Sequence, residues 1–212
     1  IPLRLVGSEM CIRDSKDAWW FMFFYSVTFG GFSGLASSLT IYFNGQYGLS
    51  PVTAGYFTAA CVFAGSAVRP LGGRLADRIG GIKTLSMMYM LAASFMLIAS
   101  FGLSSAMAAV AIFVLAMLSL GVGNGAVFQL VPQRFRKEIG VMTGLVGMAG
   151  GIGGFYLASS LGYSKQLTGS YQGGLIVFAA LAIVALLGLS AVKNRWRTTW
   201  AVSYTHLRAH ET

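Results

Sequence analysis

Six apolar runs, all of them above the roughly 20 residues a helix needs to cross a bilayer, follow one another with only short joints between them. They cover about 18–43, 52–75, 83–103, 106–130, 139–163 and 172–192. The joints carry turn chemistry: NGQYGLSP at 44–51, a double glycine at 80–81, two serines at 104–105 and SKQLTGS at 164–170. None is long enough for a soluble domain. Ser50 before Pro51 predicts an N-cap followed by proline in the first helical turn. In lipid every backbone N–H and C=O must be satisfied internally, which leaves helices or a closed barrel. The runs lack the period-2 alternation of barrel strands. The expected fold class is therefore an all-α membrane protein of six transmembrane helices.

The two ends read differently from the middle. LVGSEMCIRDS at 5–15 and VSYTHLRAHET at 202–212 are readable from opposite strands of one DNA element when back-translated. Both resemble translated sequencing-adapter sequence, so 1–15 and 202–212 are expected to be artefacts and 16–201 the natural six-helix bundle. That reading removes both histidines, His206 and His210, and Cys11, leaving Cys61 alone. Within 16–201 no disulfide can form and no His/Cys metal site is available, so no metal and no cofactor are expected. Twelve basic and three acidic residues remain, and the net charge stays +9.

Charged residues make up 10% of the chain, against about 25% in soluble domains. The basic excess sits between apolar runs and not on a polar face, so it reads as membrane topology and no nucleic-acid partner is expected. Lys16, Arg74, Arg78, Lys83, Arg134, Arg136, Lys137, Lys193, Arg195 and Arg197 all fall at one side of the six runs, and Lys165 at the other. By the positive-inside rule both ends of the bundle are cytoplasmic. Trp19 and Trp20 suit an aromatic belt at that interface. No paired carboxylate, metal cluster or Ser/His set lies in the runs, which speaks against an enzyme.

Two features depart from plain lipid-facing helix. The fifth run has glycine at 140, 144, 147, 150, 151, 153 and 154. Small residues let helices approach closely in a membrane, so this run is expected to form a sliding or substrate-facing surface. The second feature is Arg69, which follows the apolar run YFTAACVFAGSAV and lies about 12 Å inward of the loop at Asp77. No acidic residue occurs from 18 to 76. An arginine at that depth costs at least about 2.5–3.5 kcal/mol. Either it snorkels to the headgroups, or it awaits an anionic substrate that its planar fork of donors would suit. Tyr25 and Phe29, neighbours at i and i+4, reach a similar depth, as do Asn124 and Gly150, Gly151, Gly153 and Gly154. Singly, the aromatics suit packing and Asn124 an interhelical hydrogen bond. With Arg69 they compose a small-anion site. Pro70, followed by Gly72 and Gly73, predicts a kink beside Arg69.

GGRLADRIGGIK at 72–83 resembles the cytoplasmic loop motif of the major facilitator superfamily. That resemblance implies a gating role for Gly73, Asp77, Arg78 and Lys83, with the aspartate capping a helix start and pairing with a basic residue. YSVTFGGFSGLASSL at 25–39, CVFAGSAVRPLGG at 61–73, GNGAVFQLVPQRF at 123–135 and GMAGGIGGFYL at 147–157 resemble helices seven, eight, ten and eleven of the nitrate/nitrite porters. The resemblance spans essentially all of 16–201. It implies the carboxy-terminal half of a twelve-helix transporter in the cytoplasmic membrane, moving nitrate or nitrite by alternating access. Arg69 would be the substrate arginine and Tyr25 with Phe29 the aromatic pair of the site. The partner half would be the amino-terminal six helices, and the glycine surface would permit rocking. The runs contain no carboxylate or histidine for a proton relay, which leans toward nitrate/nitrite exchange and leaves proton-coupled uptake open. A facilitator for a sugar or drug, or a membrane scaffold, are the rival readings.

Overall fold

The structure is a computed structural model that describes residues 16–136 and 138–208, with side chains described as far as Trp196. The stretch 1–15 and Lys137 lie outside the described residues, and of Arg197 and the 202–208 stretch only the backbone is described. The described residues form α1 (Lys16–Tyr47), α2 (Pro51–Ala67), α3 (Arg69–Ile79), α4 (Gly81–Ser100), α5 (Ala106–Arg134), α6 (Ile139–Thr168) and α7 (Gln172–Arg208). These are the six expected spans, with the second interrupted at Val68. The break falls one residue before Arg69 and two before Pro70, as the missing proline N–H and its ring demand. Pro70 then occupies the first turn of α3, where no intrahelical donor is required.

Each joint follows from local chemistry. Ser50 caps α2 by accepting a hydrogen bond from the backbone N–H of Thr53 at 3.2 Å. The sharp turn from α3 to α4 rests on Gly80 at φ 94°, a conformation L side chains avoid. At the opposite side of the bundle the Tyr47 hydroxyl donates to the Leu103 carbonyl at 2.9 Å, tying the end of α1 to the α4–α5 joint.

Among the described residues five spans are long and apolar enough to cross a membrane: Pro51–Ile79 taken as one, Gly81–Ser100, Ala106–Arg134, Ile139–Thr168 and Gln172–Trp196. The protein is a multi-pass membrane protein. α1 has the length, at 32 residues, but is less apolar than the others. Its position explains this. α1 packs on α2, α5, α6 and α7, so Tyr25, Thr28 and Tyr42 are buried against protein. Ser26 and Ser37 donate to carbonyls of their own helix, of Phe23 at 2.7 Å and Gly34 at 3.0 Å. α4 lies between α5 and α7, and α2 with α3 covers α5.

α1 and α6 form the most extensive helix pair, and glycine permits it. A Cβ on Gly30 would stand 2.6 Å from the Gly153 carbonyl carbon, and one on Gly153 would enter the Ser26 carbonyl. Where lipid tails are as apolar as the helices, such close packing is the main source of association.

Candidate functional site

Arg69 opens α3, and its backbone is fixed by glycine contacts on both sides. A Cβ on Gly65 would stand 2.7 Å from the Met117 carbonyl oxygen, and one on Gly125 would stand 2.8 Å from the Gly73 nitrogen. The broken helix therefore lies directly on the α5 backbone above and below the break. This holds the first residue of α3 at one place against α1 and α5.

The Arg69 guanidinium sits among aromatic rings of α1. Its Cζ is 5.5 Å from the centre of the Phe29 ring and 4.4 Å from that of Phe32. Phe29 stacks on Tyr25, with centroids 5.2 Å apart and planes 7° apart. Phe128 of α5 meets Tyr25 edge to face at 4.9 Å. Gly150 of α6 lies against the same pair, since a Cβ there would be 2.7 Å from Tyr25 and 2.8 Å from Phe29. Arg69, Tyr25, Phe29 and Gly150 thus come together in one place. Asn124 lies one turn before Phe128 on α5 and is buried.

Among the described residues the ion pairs are those of Asp17 with Arg134 and Arg195, and neither involves Arg69. The Arg69 Nε is buried without a protein partner, and so are both amide atoms of Asn124. The Gln129 Oε1 near the loop motif shares this property. Buried polar atoms in native proteins are nearly always satisfied by protein or water, so each of these atoms keeps unused hydrogen-bonding capacity. A guanidinium edge supplies two parallel donors to a planar oxyanion. An aromatic ring edge adds a weak positive contact. Donors and ring edges of this kind are chemically suited to a small, flat anion.

The other residues singled out from the sequence are placed as follows. Gly153 and Gly154 are spent on α1 packing, with a Cβ on Gly154 standing 2.6 Å from the Ser33 hydroxyl oxygen. Gly151 is exposed on a neighbouring face of α6, with nothing within 4 Å of a Cβ, and Gly140, Gly144 and Gly147 share that property. The glycine run is therefore two surfaces and not one.

In the loop motif, Gly73 approaches Gly125 while Asp77, Arg78 and Lys83 are exposed. Asp77 does not cap α4, whose N-cap is Gly80 without a side-chain bond. It accepts a hydrogen bond from the Gln129 amide at 3.0 Å, where a basic partner was expected. The geometric reason is that Gln129 lies one turn beyond Gly125, on the α5 face that the glycines bring against α3.

Phe32, Phe128 and Gln129 were not foreseen. Phe32 was findable, because 25, 29 and 32 fall on one helical face. Phe128 and Gln129 had no comparable signal, since their contacts cross between helices.

The Major Facilitator Superfamily profile matches residues 6–158. A nitrite extrusion protein of Bacillus subtilis is 35% identical over 168 residues, which are 79% of this chain and 42% of that protein. A probable nitrate transporter of Staphylococcus carnosus is 35% identical over 202 residues, 92% of this chain and 50% of that protein. A probable nitrate/nitrite antiporter of Thermus thermophilus is 33% identical over 187 residues, 80% of this chain and 42% of that protein. The chain spans about half the length of the curated relatives it matches.

Proposed function

The chain belongs to the major facilitator superfamily, and from that premise we propose that it is the carboxy-terminal half of a twelve-helix nitrate transporter. The observation that carries this reading is Arg69: a cation with a buried, unpartnered Nε, framed by the rings of Phe29 and Phe32. The names of the relatives, nitrite extrusion protein and nitrate/nitrite antiporter among them, agree with an anion of this size and shape. Their length agrees with a second half of similar size.

In this reading nitrate or nitrite lies near the bilayer midplane between the halves, held by Arg69, by Tyr25 and Phe29, and by an arginine of the amino-terminal half. The anion screens the mutual repulsion of the two arginines, so the halves close only when it is bound. Asn124 and Gly150 complete the wall. Gly73, Asp77, Arg78 and Lys83 form the cytoplasmic gate, and Gly151 belongs to the face that meets the other half. The protein is a carrier and not an enzyme. It sits in the cytoplasmic membrane with both ends of this half inside, as the basic residues at one side require. The acidic side chains of the described residues, Asp17, Asp77 and Glu138, lie at helix ends, which favours nitrate/nitrite exchange over a proton relay.

Arg69→Lys tests the reading. Lysine keeps the charge and loses the planar fork. In the full-length protein, nitrate uptake into proteoliposomes should fall at least about tenfold, the loss of one charge-assisted hydrogen bond, with membrane insertion intact. Uptake at the wild-type rate would return Arg69 to a snorkelling role. Loading the vesicles with nitrite should raise uptake more than an imposed pH gradient does.

A further inference from the structure

Arg69 is surrounded by ring faces where a carboxylate would ordinarily stand. Phe32 is the nearer ring, at 4.4 Å against 5.5 Å for Phe29. It is 6% exposed, and its seat is specific. A Cβ on Gly65 would stand 2.7 Å from the Phe32 Cε2, so the ring lies on the bare backbone of α2. Gly65 precedes Arg69 by one helical turn. The same stretch of chain therefore provides both the cation and the socket for the ring beneath it. Phe29 is shared differently, since its own face is taken up by Tyr25.

The chemistry of the two kinds of partner differs in what it leaves over. A carboxylate would take the in-plane N–H fork and cancel the charge that attracts an anion. A ring attracts the cation through its quadrupole. It neither consumes an N–H donor nor neutralises the charge. The buried Arg69 Nε with no protein acceptor is what such a partner leaves behind.

We propose that Phe32 is a positioning residue that holds the Arg69 guanidinium by a cation–π contact, so that its fork meets the planar anion charged and uncommitted. The inference rests on Arg69 being the substrate arginine, and Phe32 acts through it.

The full-length protein carrying phenylalanine with one, two and three ring fluorines at position 32 tests this. Each fluorine weakens the negative face of the ring and changes its shape little. Nitrate KM in proteoliposomes should rise stepwise, reaching about three- to thirtyfold with three fluorines, while kcat holds. A KM unaffected by fluorination overturns the proposal. A second measurement needs no substrate. Melting temperatures of Phe32→Leu, Arg69→Met and the double variant should be non-additive, because removing Arg69 leaves the ring no cation to hold. Additive losses overturn the proposal as well. If the wild-type protein moves no nitrate while the cycle still couples, the substrate reading fails and the positioning role falls with it. A flat fluorine series in an active transporter fails Phe32 alone.

Discussion

Asn124 is a side chain that packing does not explain. It is 2% exposed, and neither its amide nitrogen nor its oxygen has a protein partner. From the sequence it suited an interhelical hydrogen bond as well as a site, and the folded chain supplies no such bond. An unsatisfied buried amide costs about 1–3 kcal/mol. Its amide keeps hydrogen-bonding capacity that a water or an anion would use. Asn124→Leu removes the orphan and keeps the branching and heavy-atom count of the side chain. The melting temperature should hold or rise, while nitrate uptake falls about tenfold, the loss of one hydrogen bond to the anion. Thermal melts and uptake measured side by side decide it. A fall of several degrees with uptake preserved would make Asn124 a structural residue. Tyr25 and Phe29 were legible at this scale because i,i+4 spacing alone brings two rings together. The contact of Arg69 with Phe32 was not, since it depends on where α3 begins relative to α1.

At the scale of the element, α6 carries glycine on two faces with different duties. Gly150, Gly153 and Gly154 face α1, where added atoms would meet rings, backbone and the Ser33 hydroxyl. Gly140, Gly144, Gly147 and Gly151 face open space in this half. Composition could not separate the two, because both are simply glycine. Gly153→Leu must push α1 away and should destabilise the protein by about 1–3 kcal/mol or more, the range for overpacking. Gly154→Leu should behave alike. Gly151→Leu should leave the melting curve near that of wild type, and leucine even suits a helix better than glycine. If the amino-terminal half rocks against this face, Gly151→Leu still abolishes uptake. Nitrate uptake and detergent melts of the three variants, with Leu157→Ala beside them, separate these outcomes. Normal transport by Gly151→Leu would make that face lipid-exposed and remove it from the interface.

At the scale of the whole molecule, one carboxylate joins three distant parts of the chain. Asp17, just outside the first apolar run, accepts bonds from Arg134 Nε at 2.8 Å and Trp196 Nε1 at 2.9 Å, and pairs with Arg195 as well. Phe21 stacks on Trp196 at 4.9 Å directly beneath. The ends of α1, α5 and α7 at this side of the bundle are thereby held together. Burial by itself raises the Asp17 carboxyl. The bonds from Arg134 and Trp196 and the charges of Arg134 and Arg195 together outweigh it and hold the carboxyl below its usual 3.8. Because the folded value is depressed, the stability this provides is fully present above the unfolded pKa and is lost as pH falls through the folded one. Asp17→Asn should lower the melting temperature at neutral pH, by about 1–3 kcal/mol in stability. The difference between variant and wild type should shrink when both are melted below about pH 4. An equal difference at every pH would mean that the charge of Asp17 contributes nothing.

The sequence alone determined the class of fold. Six apolar runs, their short joints and the Ser50-Pro51 cap left little room, because a bilayer forbids unsatisfied backbone and fixes the length of each span. It also isolated Arg69, since a charge in an apolar run is costly wherever the helix turns. The break at Val68 followed from proline. Only the tertiary structure decided which rings stand around Arg69, which glycines of α6 are used up in packing, that Asp77 meets Gln129, and that Asp17 joins three helices. These are matters of how helices rotate about their axes and slide against one another. In lipid that choice is made by close backbone contacts such as Gly30 with Gly153 and Gly65 with Met117. Hydrophobic periodicity cannot report it, because every face of such a helix is apolar.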